Sequence, residues 1–153
     1  MKINSNTTDI NIKRITALET YPVRHPVLRE GRPFETCKME ADDLESTFHF
    51  GLYYKNKLVG VATFMMDKDL RFTEKKQYRL RGMAVLTAYQ GYHFGKQLLQ
   101  FAEQFLKVNK VERVWFNART KALSFYKNNG YNTYGSIFDI PDIGPHYVMS
   151  KIL

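Results

Sequence analysis

The chain has 153 residues, 44% of them hydrophobic, with ten tyrosines, eleven phenylalanines and one tryptophan; that is material for one domain over 1-153 with a single core, and its longest apolar runs fall far short of the roughly 20 residues that span a bilayer. Twenty-three Lys and Arg against fifteen Asp and Glu leave a net charge of +8, which asks for an anionic partner. The basic residues are scattered from Lys13 to Lys151, the densest cluster (Lys75, Lys76, Arg79, Arg81) is short, and no zinc-ligand spacing accompanies it, so nucleic acid is not the expected partner.

In chain order, the start MKINSNTTDI is polar and lacks the apolar centre of a secretory signal; residues 1–7 read as a frayed tail. Asp9–Arg14 reads as a short strand. Ile15–Arg29 has helical spacing, but Pro22 and Pro26 predict a broken helix. Residues 30–47, with Gly31, Pro33 and many acids, read as loop. Phe48–Tyr54 and Lys57–Met65 are β-rich runs around Lys55-Asn56-Lys57, a hairpin in which Gly60 marks a bulge or a close approach. Asp67–Lys76 is a charged connection and Gln77–Val85 the next strand. Lys96–Val108 places Leu98, Phe101, Ala102 and Phe105 on one helical stripe widened by Leu99 and Leu106. Val111–Phe116 reads as a strand, and Thr120–Asn128 as a helix stopped at Asn129-Gly130. Tyr131–Tyr134 and His146–Ile152 finish as strands. Hairpins followed by a β-α-β unit predict an α/β fold, a mixed sheet with helices on both faces. The single cysteine, Cys37, forms no internal disulfide, which agrees with a cytoplasmic location.

The segment Tyr78–Gly95, YRLRGMAVLTAYQGYHFG, carries the chemistry. A strand ends in a polar turn whose glycines open a long amphipathic helix, so backbone amides converge at the positive end of a helix dipole and make a cradle for pyrophosphate. This stretch resembles the acetyl-CoA signature of the GNAT N-acetyltransferases, Arg/Gln-x-x-Gly-x-Gly/Ala, with Gln90 and Gly95 at its ends and His93 where the family has its first glycine. The resemblance implies a GNAT-like acyl-CoA N-acyltransferase fold with a central mixed, mostly antiparallel sheet flanked by helices, and acetyl-CoA as co-substrate with no metal. It implies that the backbone of Met83, Ala84 and Val85 faces the pantetheine arm, and that Gln90, Gly91, Tyr92, His93, Phe94, Gly95 and Lys96 form the phosphate cradle. Helical dihedrals at His93 would let its amide serve in place of glycine's.

A second segment, Trp115-Phe116-Asn117-Ala118-Arg119 followed by Phe125-Tyr126 and Asn129-Gly130-Tyr131, is similar to the family's second cofactor segment. The resemblance gives Asn117 the pantetheine amide and Tyr126 the proton for the departing thiolate, in a direct attack by a primary amine within a ternary complex. Such a transfer also needs an oxyanion donor, for which a backbone N–H of Met83–Val85 serves, and a base for the amine. No glutamate stands in Gln77–Val85; His25, His49 and His146 are of a type that titrates near neutrality, and a water chain is an alternative. The resemblance also implies that the sheet splays between its fourth and fifth strands, and that the N-terminal helix and the last loop and strands build the acceptor face. Arg24, His25 and Arg29 are then the expected acceptor-binding residues, pairing with a carboxylate or phosphate, and His146 the proton relay. The expected partner is a small-molecule amine, with a homodimer possible. Alternatives from another class are an acyl-CoA sensor without turnover and a basic nucleic-acid-binding domain.

Overall fold

The computed structural model describes residues 9–153, so the expected tail over 1–7 lies outside the described residues. In chain order the elements are β1 (Ile10–Ile15), α1 (Ala17–Leu28), β2 (Phe48–Tyr54), β3 (Lys57–Met66), β4 (Gln77–Val85), α2 (Phe94–Val108), β5 (Arg113–Arg119), α3 (Leu123–Asn128), β6 (Asn132–Ile140) and β7 (Gly144–Ile152). The strands form a seven-stranded sheet of order β1-β2-β3-β4-β5-β7-β6. Its β4–β5 pair is parallel, while β1–β2, β2–β3, β5–β7 and β6–β7 are antiparallel. This is the expected element order and the expected mixed sheet. The chain also forms two compact units. One runs to Met65 and resumes over Leu80–Leu106; the other comprises Met66–Arg79 and Lys107–Leu153.

In the first unit, Lys55 and Asn56 both take positive φ, 47° and 67°, which turns β2 into β3 with the twist a two-residue hairpin needs. Leu52 then faces Gly60 while Tyr53 faces Leu58, so Val59 is the extra residue of the bulge. A Cβ on Gly60 would meet Val85 at an ordinary 3.5 Å; the glycine marks the bulge, not a close approach. Strand alternation sends Phe50 and Tyr54 to α2, where their rings meet Phe105 at 5.2 Å and Phe94 at 5.4 Å. The opposite face packs Val61 and Ala84 with Val23 and Val27 of α1. Of the stripe expected on α2, Leu98, Leu99, Ala102 and Leu106 are buried; Phe101 instead lies at the rim, 38% exposed.

The expected break in α1 does not occur. Both prolines lie inside one continuous helix, started by a capping box in which Glu19 N donates to Thr16 Oγ1 (3.3 Å) and Thr16 N to Glu19 Oε1 (3.1 Å). Pro22 and Pro26 are four apart on the exposed side, where the carbonyls they leave without donors meet solvent, while Tyr21, Val23 and Arg24 are buried. Tertiary burial of one face outweighs the two lost bonds.

In the second unit, Trp115 packs with Phe72 and Val148 on one face of β5, and Trp115 Nε1 donates to Asp67 O at 2.8 Å. Phe116 faces the other way, its ring 4.4 Å from that of Tyr126 on α3 and 5.2 Å from Tyr131. The helix ends as expected at Asn129-Gly130: Tyr131 N donates to Tyr126 O (3.0 Å) and Gly130 N to Lys127 O (3.1 Å), a Schellman pair. The last two strands run longer than the hydrophobic pattern suggests, because β6 is exposed along most of its length and is held by its ladder to β7.

Candidate active site

In the first unit, β4 leads into the loop that joins it to α2. Leu86 N bonds Val59 O at 2.8 Å, a single 3-10 turn over Thr87–Tyr89 follows, and the Gln90 side chain reaches back to Val85 O at 2.9 Å. Gln90 thus closes the loop with its side chain. Gly91 takes φ 85° and His93 takes φ 63°. His93 does not take the helical dihedrals that would let its amide stand in for glycine's: the position demands the left-handed conformation that glycine accepts freely and histidine accepts at a cost. Gln97 N→His93 O (3.1 Å) is the bond that opens α2, so the amides of Phe94, Gly95 and Lys96 have no acceptor within the helix. No acidic residue stands in that first turn. The Phe94 side chain is core, 1% exposed, whereas Tyr92, His93 and Lys96 are exposed. The result is a cluster of outward amides at a helix N-terminus with a lysine beside it, suited to a phosphate anion.

Within the second unit, β5 is paired with β4 only over Arg113–Trp115 against Gln77–Arg79. Asn117 lies beyond that register, opposite Val148 of β7, and its Oδ1 is buried with no hydrogen-bond partner. A buried carbonyl oxygen left unpaired costs about 1–3 kcal/mol, so this atom calls for a donor that the described residues do not supply. Tyr126 is half-buried on the Phe116 face, and burial pushes its phenol up to about 12. His146 lies on the other face with Trp115 and Asn117; it is 4% exposed, 6.0 Å from the Phe138 ring, and its Nδ1 meets Gly144 O at 2.7 Å. A carbonyl only accepts, so Nδ1 carries a proton, and in the neutral tautomer this bond selects, Nε2 is the nitrogen with the lone pair. Tyr126 and His146 therefore sit on opposite faces of this part of the sheet.

The model of the Acetyltransferase (GNAT) family matches residues 14–131. A protein of Bacillus subtilis (strain 168), uncharacterized N-acetyltransferase YitI, is 39% identical over 144 residues, covering 94% of this chain and 97% of its own. The chain belongs to the GNAT acetyltransferase family. Acetyl transfer from acetyl-CoA is the activity that this membership carries. Among solved structures, a putative N-acetyltransferase from Lactobacillus plantarum superposes with a TM-score of 0.76 at 20% identity, covering 94% of this chain and 98% of its own. An aminoglycoside 6'-N-acetyltransferase complexed with coenzyme A does so at 0.73 and 11% identity, covering 93% and 96%. At such identities these two share the fold.

The side chains expected at the acceptor of this GNAT chain divide sharply. Arg24 is fully buried: it forks onto Asp42 at 2.6 and 3.1 Å and also donates to Cys37 O (2.9 Å) and Thr63 Oγ1 (2.7 Å). It has no charge to offer an acceptor, because Asp42 already takes it. The sequence hid this, since Asp42 is 18 positions away and only the fold brings it under α1. His49 is excluded as a base: its Nε2 bonds Asp42 O at 2.9 Å and its Nδ1 meets Thr63 Oγ1 at 2.7 Å, so both ring nitrogens are engaged. His25 donates from Nε2 to Arg32 O (2.7 Å), and Arg29 bonds Thr36 O through Nε (3.1 Å) while staying half-exposed. Among the described residues no group of three or more His, Cys, Asp or Glu could hold a metal, and no helix is long and apolar enough to cross a membrane.

Proposed function

We propose that this chain transfers the acetyl group of acetyl-CoA to a primary amine by direct attack in a ternary complex. The observation that carries the reading is the loop from Gln90 to Lys96, where Gly91 and His93 at positive φ lead into the three amides of Phe94, Gly95 and Lys96 that α2 leaves without acceptors. Those amides and Lys96 hold the pyrophosphate, and the backbone of Met83, Ala84 and Val85 lines the pantetheine arm. Asn117 Oδ1, buried and unpaired, accepts from a pantetheine amide. Bound acetyl-CoA supplies the acyl group already activated as a thioester.

The residues then divide the proton work. His146 Nε2 takes the proton that the amine loses as its nitrogen bonds the acyl carbon. A backbone N–H of Met83–Val85 donates to the oxyanion. Tyr126 donates its hydroxyl hydrogen bond to the sulfur as the C–S bond breaks. A phenol near 12 is a weaker acid than a thiol near 8.5, so outright transfer from it is uphill by roughly 5 kcal/mol. Tyr126 therefore steadies the thiolate until the amine's proton replaces what it lends.

Gly95→Asp tests the cradle by setting a carboxylate and a Cβ against the pyrophosphate. Calorimetry with acetyl-CoA is expected to show at least a tenfold loss of affinity, about 1.4 kcal/mol, with circular dichroism unchanged. Unchanged affinity in the folded variant would move the site elsewhere. In the parent, tight acetyl-CoA binding with no thiol released by any of a panel of amines would leave a sensor in place of an enzyme.

A further inference from the structure

Gly82 stands within β4 at φ 61°, and a glycine inside a strand marks a bend or a place where another group comes close. The atoms nearest to its open side are side-chain atoms. A carbon standing where a Cβ would be lies 3.1 Å from Arg24 Nε, 3.1 Å from Met39 Sδ and 3.3 Å from Met39 Cε. That is inside the roughly 3.5–4.0 Å at which carbon atoms pack. The two walls differ in stiffness. Arg24 is tied to Asp42, Cys37 O and Thr63 Oγ1 by four hydrogen bonds of 2.6–3.1 Å, so it does not retreat without stripping a buried charge of its partners. Asp42 Oδ2 also accepts from Met39 N at 2.9 Å, and Asp42 N donates to Met39 O at 3.2 Å, which pins the Met39 backbone. The Met39 side chain, 8% exposed, is the movable part, a flexible unbranched thioether.

The cradle sets the direction of a bound co-substrate. β4 ends at Val85, and Gln90–Lys96 lies past that end. An arm leaving the cradle would pass Val85, then Ala84, then Met83, and bring its acyl group to Gly82. In the cradle itself a Cβ on Gly91 would meet nothing within 4 Å, so the limit on ligand size lies at the acyl end. Arg24 Nε is also a buried donor without a hydrogen-bond partner, and the carbonyl of a thioester is an acceptor.

We infer that Met39, backed by Arg24, sets the length of acyl chain this protein accepts: an acetyl group fits in front of Gly82, and each added methylene runs into Met39. The inference rests on the acetyl-transfer reading and names the residue that selects the acyl donor within it. Inserting methylenes against a well-packed wall forces side chains off their rotamers, and here the rigid Arg24 leaves Met39 no depth to withdraw into.

Calorimetry with CoA, acetyl-CoA, propionyl-CoA and butyryl-CoA tests this without an acceptor amine. The parent is expected to hold butyryl-CoA about tenfold or more weaker than acetyl-CoA, with propionyl-CoA between them. Met39→Ala should bring butyryl-CoA within about threefold of acetyl-CoA, chiefly by tightening the longer ligand. Met39→Val, a smaller truncation, should move the ratio the same way and serves if the alanine variant does not fold. A second readout needs no truncation. With methionine methyl groups labelled with carbon-13, the Met39 signal, assigned by its loss in Met39→Leu, should shift with acetyl-CoA and not with CoA. Equal affinity of the parent for all three acyl-CoAs overturns the inference, as does an unchanged ratio in a folded Met39 truncation or a Met39 methyl that answers CoA and acetyl-CoA alike. If neither CoA nor acetyl-CoA binds, the acetyl-transfer reading falls and takes this inference with it; if acetyl-CoA binds and only these comparisons fail, that reading stands.

Discussion

His93 is where this chain differs most plainly from the loop pattern it otherwise follows. At φ 63° it holds a left-handed conformation that costs a residue with a Cβ roughly 1–2 kcal/mol. His93→Gly should therefore keep or tighten acetyl-CoA binding, whereas His93→Val, β-branched and far less tolerant of positive φ, should weaken it several-fold and lower loop protection in hydrogen exchange. Equal affinity in both variants would mean that the His93 backbone takes no part in the cradle. Tyr126 supports a second test. With its phenol near 12 it remains a hydrogen-bond donor throughout the working range, so Tyr126→Phe is expected to preserve acetyl-CoA affinity and lose kcat by about 10²-fold. Near-normal turnover would reduce Tyr126 to packing against Phe116 and Tyr131.

At the scale of elements, α1 is anchored to β3 and to the loop after it by one buried network. Burial by itself raises the Asp42 carboxyl, but hydrogen bonds from Arg24 and Met39 N–H together with the Arg24 charge outweigh it and hold Asp42 below the usual carboxylate range. Burial holds His49 below the usual histidine range, against the pull of Asp42. Both groups bind protons more readily once unfolded, so both make stability rise with pH. The His49 contribution is present above about pH 6.5 and is lost as pH falls through the folded value; the Asp42 contribution goes only below about pH 4. Thermal unfolding should therefore show a first loss of Tm beginning under about pH 6.5 and a second, steeper one in stronger acid. His49→Gln should flatten the first step and leave the second. A pH-independent Tm between 5 and 7 in the parent would contradict this account. Gly82 reports on the same network, since it has φ 61° and only 3.1 Å between a would-be Cβ and Arg24 Nε or Met39 Sδ. Gly82→Ala is expected to destabilise by about 1–3 kcal/mol in a denaturant series.

For the whole molecule, a co-substrate that binds only the folded chain must stabilise it. Acetyl-CoA at a hundred times its Kd should contribute about 2.7 kcal/mol, which raises Tm by roughly 5–10 °C for a chain of this size. A shift given equally by adenosine and by acetyl-CoA would argue against the pyrophosphate cradle as the main contact.

Much of this was legible in the sequence, for local reasons. The β2–β3 hairpin follows from β-rich runs around Lys55-Asn56, α2 from its 3.6-residue apolar period, and the cap at Asn129-Gly130 from a residue pair that tolerates a left-handed turn. The amide cradle follows from a strand, a short loop and a helix N-terminus in succession. Each of these depends on neighbours within a few positions. What the tertiary structure decided depends on partners far apart in sequence. Pro22 and Pro26 failed to break α1 because burial of Val23 and Arg24 holds the helix together. Arg24, expected at the acceptor, was claimed by Asp42, 18 residues on, and by Thr63, 39 residues on. The same packing engaged both nitrogens of His49 and put Tyr126 and His146 on opposite faces of the sheet. Charge and chemistry were written in the chain, but whether a given charge faces solvent or a buried counter-ion was fixed only when distant segments met, because the cost of burying an unpaired charge selects the fold in which each buried one finds its partner.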